Sequence, residues 1–126
     1  MIKVISTTRA PGSIGTYSQA IIHSGVLYVS GQIPLVPETM EIVSDDIEQQ
    51  ITQVFDNLDA VISAADASLG DTIKFTVYLT DLGHFPRVNE VMASRLKEPF
   101  PARVAVEVSA LPRSALIEID AIVALG

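Results

Sequence analysis

The chain has 126 residues, 48% of them hydrophobic, with no cysteine and a formal charge of −7 from 8 basic and 15 acidic side chains. The acidic balance argues against nucleic acid as a partner, because affinity for phosphates rests on lysine and arginine, and the absence of cysteine excludes disulfides and thiol catalysis. A mean hydropathy of +0.40 is high for so short a chain, whose surface is large relative to its volume, so apolar surface is expected to be buried against another subunit.

In chain order, Lys3 to Ser6 reads as a short strand, followed by a loop through APGSIGTYSQ that carries Pro11, Gly12 and Gly15. Ala20 to His23 and Val26 to Ile33 read as two strands joined at Ser24-Gly25 in a tight hairpin, and Pro34 and Pro37 end the pair. From Ile47 onward, Ile51, Val54, Phe55, Leu58, Val61, Ile62 and Ala65 recur at three- and four-residue steps, one stripe of a helix. Asp45 with Glu48 gives its start a capping-box pattern. In IKFTVYLT, Ile73, Phe75, Val77 and Leu79 share one side and Lys74, Thr76, Tyr78 and Thr80 the other, which predicts a strand with one buried face.

Asp81 and Pro86 mark a second helix, with Phe85, Val88, Val91, Met92 and Leu96 on one stripe and Pro99 and Pro101 beyond its end. Arg103 to Val108 and Leu116 to Ala124 are the last two strands, connected through Leu111-Pro112-Arg113. In the first of these, Val104, Val106 and Val108 alternate with Arg103, Ala105 and Glu107, so the valines are expected to face the core. The order β-β-β-α-β-α-β-β predicts an α+β fold: one mixed six-stranded sheet with two helices on one face. No linker-like stretch interrupts the chain, so residues 1–126 are read as a single domain.

No apolar run approaches the about 20 residues of a membrane span, and MIKVISTTRAPG lacks the apolar centre of a signal peptide. The expectation is a cytoplasmic enzyme or binding protein. His23 and His84 stand apart and disfavour a zinc site. Neither GxGxxG nor GxxxxGK[ST] occurs, which leaves no phosphate cradle and points to a small, non-nucleotide ligand.

On the final strand, Glu118 and Asp120 share a face. If the last two strands pair, Arg103 and Glu107 stand near them. One reading is an ion pair on a solvated face, contributing about 0.2–1 kcal/mol. The other makes Arg103 a two-pronged holder of a ligand carboxylate, matched by its planar fork, with Glu118 as acid or base beside it.

PARVAVEVSALPRSALIEI (residues 101–119) resembles the signature of the reactive intermediate deaminase (Rid) family, the YjgF-type or L-PSP proteins: P-A-R, a short strand, a leucine-proline turn, then I-E-I. SIGTYSQA (13–20), VSGQIP (29–34), TVYLTDL (76–82) and VNEV (88–91) resemble that family's other motifs in order and spacing, so the resemblance spans essentially the whole chain. It implies a chorismate-mutase-like fold and a homotrimer with ligand clefts between subunits. It also implies cofactor-free hydrolysis of 2-imino and 2-enamino acids, such as 2-aminoacrylate, 2-iminopropanoate and 2-iminobutanoate, to 2-keto acids and ammonia.

By the same resemblance Arg103 binds the substrate carboxylate, Glu118 positions or activates the attacking water, and Tyr17 contributes a hydroxyl near the imine. Ser30, Gly31 and Asn89 shape the pocket, and Ala105 contacts the carboxylate through its backbone N–H. Three departures stand out: Ala105 where many deaminating members carry cysteine, Gly15-Thr16-Tyr17 in place of G-P-Y, and Met92, Arg95 and Leu96 where aromatics are common. Two other readings stay open: a non-catalytic module that captures a small carboxylate, and an RNA-cleaving or translation-inhibiting member of the family.

Overall fold

Ser24 and Gly25 both adopt left-handed φ angles, 51° and 75°, the pair of positive values that a type I′ turn needs. The chain therefore folds back tightly, and β2 (Ala20–His23) pairs antiparallel with β3 (Val26–Gln32). The computed structural model describes residues 1–126. β1 (Lys3–Ile5) adds to β2, and after β3 a small separate ribbon forms from β4 (Leu35–Val36) and β5 (Glu41–Ile42). There follow α1 (Ile47–Ala64), β6 (Thr72–Leu79), α2 (Phe85–Arg95), β7 (Ala102–Glu107) and β8 (Ile117–Ala124).

The six-stranded sheet runs β1-β2-β3-β8-β6-β7. Only β6 and β7 are parallel, as expected of two strands joined by a helix. The core lies between the sheet and the helices. Val54, Phe55, Leu58 and Val61 of α1 and Val88 of α2 are fully buried against Leu27, Phe75, Val77, Ile117 and Ile119. Each such burial is worth about 1.5–3 kcal/mol before the ordering entropy is counted. Phe55 and Phe75 meet edge to face with centroids 5.7 Å apart, the arrangement that ring quadrupoles favour. Buried amides tie the layers together: Asn57 donates to the carbonyls of Ile33 and Leu35, and Gln50 accepts from the N–H of Leu116.

Four expectations change. The α1 cap is Asp46, whose carboxylate accepts from Gln49 N at 3.0 Å; Glu48, the other half of the expected box with Asp45, pairs instead with Arg87 of α2. Ile73 is 46% exposed, because the β6–β8 register shifts between Thr72 and Lys74 and this irregularity gives Thr72 the inward position. Its hydroxyl is left without a partner. β7 does not pair with β8, since β6 lies between them, so Arg103 and Glu107 are not brought beside Glu118 and Asp120.

The valines of β7 are also turned the other way. Register sets Arg103 opposite Phe75 and Ala105 opposite Val77, and Phe75 and Val77 point into the core. Arg103, Ala105 and Glu107 thus share the helix side of the sheet, and Val104 and Val106 stand on its open side, 40% and 39% exposed. Tyr28 and Ile122 belong to the same open side, facing each other across β3 and β8. The longest helix spans 18 residues, and no helix is long and apolar enough to cross a membrane.

Candidate functional site

The sheet carries a local fault beside Glu118. The β3–β8 register shifts between Val29 and Gln32, and within that irregular stretch Gly31 lies against the Glu118 carboxyl. A Cβ at position 31 would stand 2.9 Å from Glu118 Cδ, closer than packed carbon atoms allow. Glycine is what permits the carboxyl group to lie against the β3 backbone.

Glu118 opens into a cavity of about 370 Å³ that also takes in Tyr17, Ile14, Leu35 and Arg113. Its carboxyl is half-buried, and its pKa is raised, first by burial and then by the nearby charge of Asp120. Tyr17 reaches the cavity from the loop between β1 and β2, and its hydroxyl accepts from Ile14 N at 3.2 Å. That loop is held from beneath by Gln19, a buried amide. Its Nε2 donates to the carbonyls of Thr7 and Pro11 at 3.0 and 2.8 Å, and its Oε1 accepts from Thr7 N at 2.7 Å. Ser30 Oγ donates to the Ser18 carbonyl at 2.6 Å, so this hydroxyl braces the loop behind Tyr17.

A second group gathers where β7 leaves the end of α2. Arg103 Nη1 donates to Asn89 Oδ1 at 2.6 Å, and its guanidinium carbon lies 4.5 Å from the Phe85 ring centroid, within the range of cation–π attraction. Met92 Sδ flanks the same nitrogen at 3.6 Å. Arg103, Asn89, Met92, Phe100 and Pro101 border a cavity of about 350 Å³. The ion pairs of the chain join Arg87 to Glu48 and Glu90, and Arg95 to Asp56; none includes Arg103. An exposed guanidinium, stacked and oriented but not neutralised, is prepared for an anion with a planar pair of oxygens. Ala105, two residues along β7, faces the same way and packs against the core.

The chain therefore brings together Tyr17, Gly31 and Glu118 in one place, and Arg103 with Asn89 in another. It does not bring the two groups together: Arg103 lies on the helix side at the sheet edge and Glu118 on the open side, with β6 between their strands. Sequence reasoning missed Gln19, Phe85 as a stacking surface, and Arg113. This last residue lines the Glu118 cavity with a left-handed φ of 59° and donates from Nη2 to the Met40 carbonyl at 2.7 Å. Only the proline before Arg113 hinted at a turn. No three histidine, aspartate or glutamate side chains gather into a metal-ligand cluster.

Comparison with known proteins shows the family. Residues 7–125 match the family described as Endoribonuclease L-PSP. A RutC family protein of Pyrococcus horikoshii is 53% identical over 122 residues, covering 97% of this chain and 97% of that protein. The 2-iminobutanoate/2-iminopropanoate deaminase of Homo sapiens is 40% identical over 124 residues, covering 98% of this chain and 90% of the human protein. The crystal structure of E. coli TdcF with bound serine superposes with a TM-score of 0.91 at 39% identity, over 98% of this chain and 99% of that one. With the α+β fold, the P-A-R strand and the I-E-I strand all in place, the chain belongs to the Rid (YjgF, L-PSP) family.

Proposed function

We propose that this protein hydrolyses small 2-imino and 2-enamino acids to 2-keto acids and ammonia, and that it does so as a homotrimer. The observation that carries this reading is the division of the site. One chain presents an unneutralised, oriented guanidinium at Arg103 and, elsewhere, a half-buried carboxyl at Glu118 with no cationic partner. Each half needs what the other holds. The open sheet face with Tyr28, Val104 and Val106 supplies apolar surface through which copies can associate, and a cleft formed between copies would unite the halves.

In such a cleft Arg103 grips the substrate carboxylate and sets C2 of the imine near Glu118 and the Tyr17 hydroxyl. Glu118 takes a proton from water as its oxygen bonds to C2 of the protonated imine, and the neutral carbinolamine forms. Glu118 returns that proton to nitrogen, the C–N bond breaks as ammonia leaves, and the hydroxyl proton passes through the Glu118 carboxylate to the departing ammonia, leaving the ketone and ammonium. Water is the only co-reactant. The human deaminase and the serine-bound TdcF support an amino-acid-derived carboxylate as the ligand.

The test supplies imine continuously from a serine or threonine dehydratase and follows keto-acid and ammonia release. Addition of the purified protein is expected to speed both, with chelator present. No acceleration, together with tight binding of 2-ketobutanoate, would favour the carboxylate-capturing module, and cleavage of RNA in place of imine hydrolysis would favour the nuclease reading. Light scattering at micromolar concentration is expected to return about three times the 13.5 kDa chain mass. A monomer mass would remove the shared cleft.

A further inference from the structure

Glu118 does not stand alone on the open side of the sheet. Side chains two apart on a strand share a face, so Asp120 follows it on β8, and across the ladder Tyr78 and Thr76 of β6 lie opposite Glu118 and Asp120 respectively. Tyr78 does not bond to the carboxyl facing it. Its hydroxyl reaches diagonally and donates to Asp120 Oδ2 at 3.1 Å. The two carboxyl groups thus sit in different environments: Asp120 accepts a hydrogen bond from Tyr78, and Glu118 has burial and no donor.

The other groups on this face leave that contrast intact. Lys74 of β6 and Tyr28 of β3 are both set opposite Ile122, beyond Asp120. β7 presents Val104 and Val106 opposite Thr76 and Tyr78 and adds no charge. From the cavity side Tyr17 and Arg113 face Glu118, but Arg113 gives its Nη2 to the Met40 carbonyl. Neither Glu118 nor Asp120 has an ion-pair partner in the chain.

We propose that Asp120, held in place by the Tyr78 hydroxyl, is a positioning residue for Glu118: its negative field makes Glu118 retain the proton taken from water until the departing nitrogen receives it. Two carboxyl groups pushed apart by their surroundings divide the work of acid and charge-holder. The raised pKa of Glu118, with Asp120 as its second cause after burial, agrees with this geometry. Tyr78 is itself held above its ordinary range, by burial and then by Asp120, so it remains a donor throughout the working pH range. This inference rests on the deaminase reading for its role in turnover, but its electrostatic content can be measured without turnover.

The experiment follows the Glu118 side-chain carboxyl carbon by NMR as pH is varied, in wild type, Asp120→Asn and Asp120→Glu. Positions two apart on a strand are separated by about 6.6 Å, so the Asp120 charge is expected to hold the Glu118 midpoint up. Asp120→Asn should lower that midpoint, and Asp120→Glu should keep it near the wild-type value. If Asp120→Asn fails to fold, Asp120→Ser serves as the neutral variant. An unchanged Glu118 midpoint in the neutral variant overturns the proposal. In the turnover assay the acidic limb of the kcat/KM profile, where Glu118 must lose its proton to act as base, should move to lower pH with the NMR midpoint. A protein with no deaminase activity would still give the titrations, so failure of the chemistry and failure of the coupling are separable.

Discussion

Glu118→Gln is expected to lower imine hydrolysis by about 10²- to 10⁴-fold, the range that a placed general acid–base contributes, without lowering the thermal midpoint at pH 7. The substitution keeps size and planarity but can neither accept the proton of water nor return it to nitrogen. Its stability effect has a definite sign. Glu118 has a pKa above the ordinary glutamate value, from burial and then from Asp120, so the folded state binds this proton more tightly than the unfolded chain. Its favourable contribution is complete below the unfolded pKa of about 4.3 and is lost as pH rises through the raised folded value. Within one chain the ionised Glu118 carboxylate is half-buried beside Asp120 and has no ion-pair partner. Glutamine relieves that charge. The variant should therefore be as stable as wild type or more so at pH 7, and the difference should fade as pH falls through the carboxylate range. Thermal melts at pH 4 and pH 7, beside initial rates, check this. Equal loss of activity and of melting temperature would instead make Glu118 a structural strand residue.

Arg103→Lys is expected to reduce kcat/KM by about 10- to 150-fold, which corresponds to losing a charge-assisted contact of about 1.5–3 kcal/mol. Lysine preserves the charge but not the plane. In the native chain the guanidinium lies over Phe85 and gives Nη1 to Asn89, an arrangement that orients its other N–H groups and that a single ammonium cannot reproduce. A carboxylate gripped by two parallel bonds also fixes the direction of C2, so misplacement of the imine adds to the loss. Folding should change little. The side chain is exposed and has no acidic partner to abandon. The measurement is kcat/KM for 2-iminobutanoate with thermal midpoints for both proteins, each of wild-type mass. Full activity in the lysine variant would remove Arg103 as the carboxylate holder.

Both substitutions concern residues that were legible in the chain itself. P-A-R and I-E-I mark Arg103 and Glu118 by motif, and Tyr17 and Asn89 fall in shorter motifs of the same resemblance. The helices and main strands were legible too, because periodicity of 3.6 or 2 is a local property: Val54, Phe55, Leu58 and Val61 form the buried stripe of α1, and Phe75, Val77 and Leu79 the buried row of β6. The Ser24-Gly25 turn is equally local, set by two adjacent positive φ angles.

What only the tertiary structure decided is which face, which neighbour and which end. Alternation along residues 103–108 shows that β7 has two sides, but either row of a strand can face a core, and the parallel register with β6 turned Arg103 and Ala105 inward and the valines outward. Proximity in sequence favoured pairing of the last two strands. Insertion of β8 between β3 and β6 instead buries Ile117, Ile119, Ala121 and Val123 at the centre of the sheet, where this apolar row gains most. That choice separates Arg103 from Glu118 and sets Tyr78 against the acidic pair. The shift that places Ile73 outside and the fit of Gly31 beneath Glu118 have the same origin: they are answers to a neighbouring strand, and a single segment of sequence does not contain its neighbour.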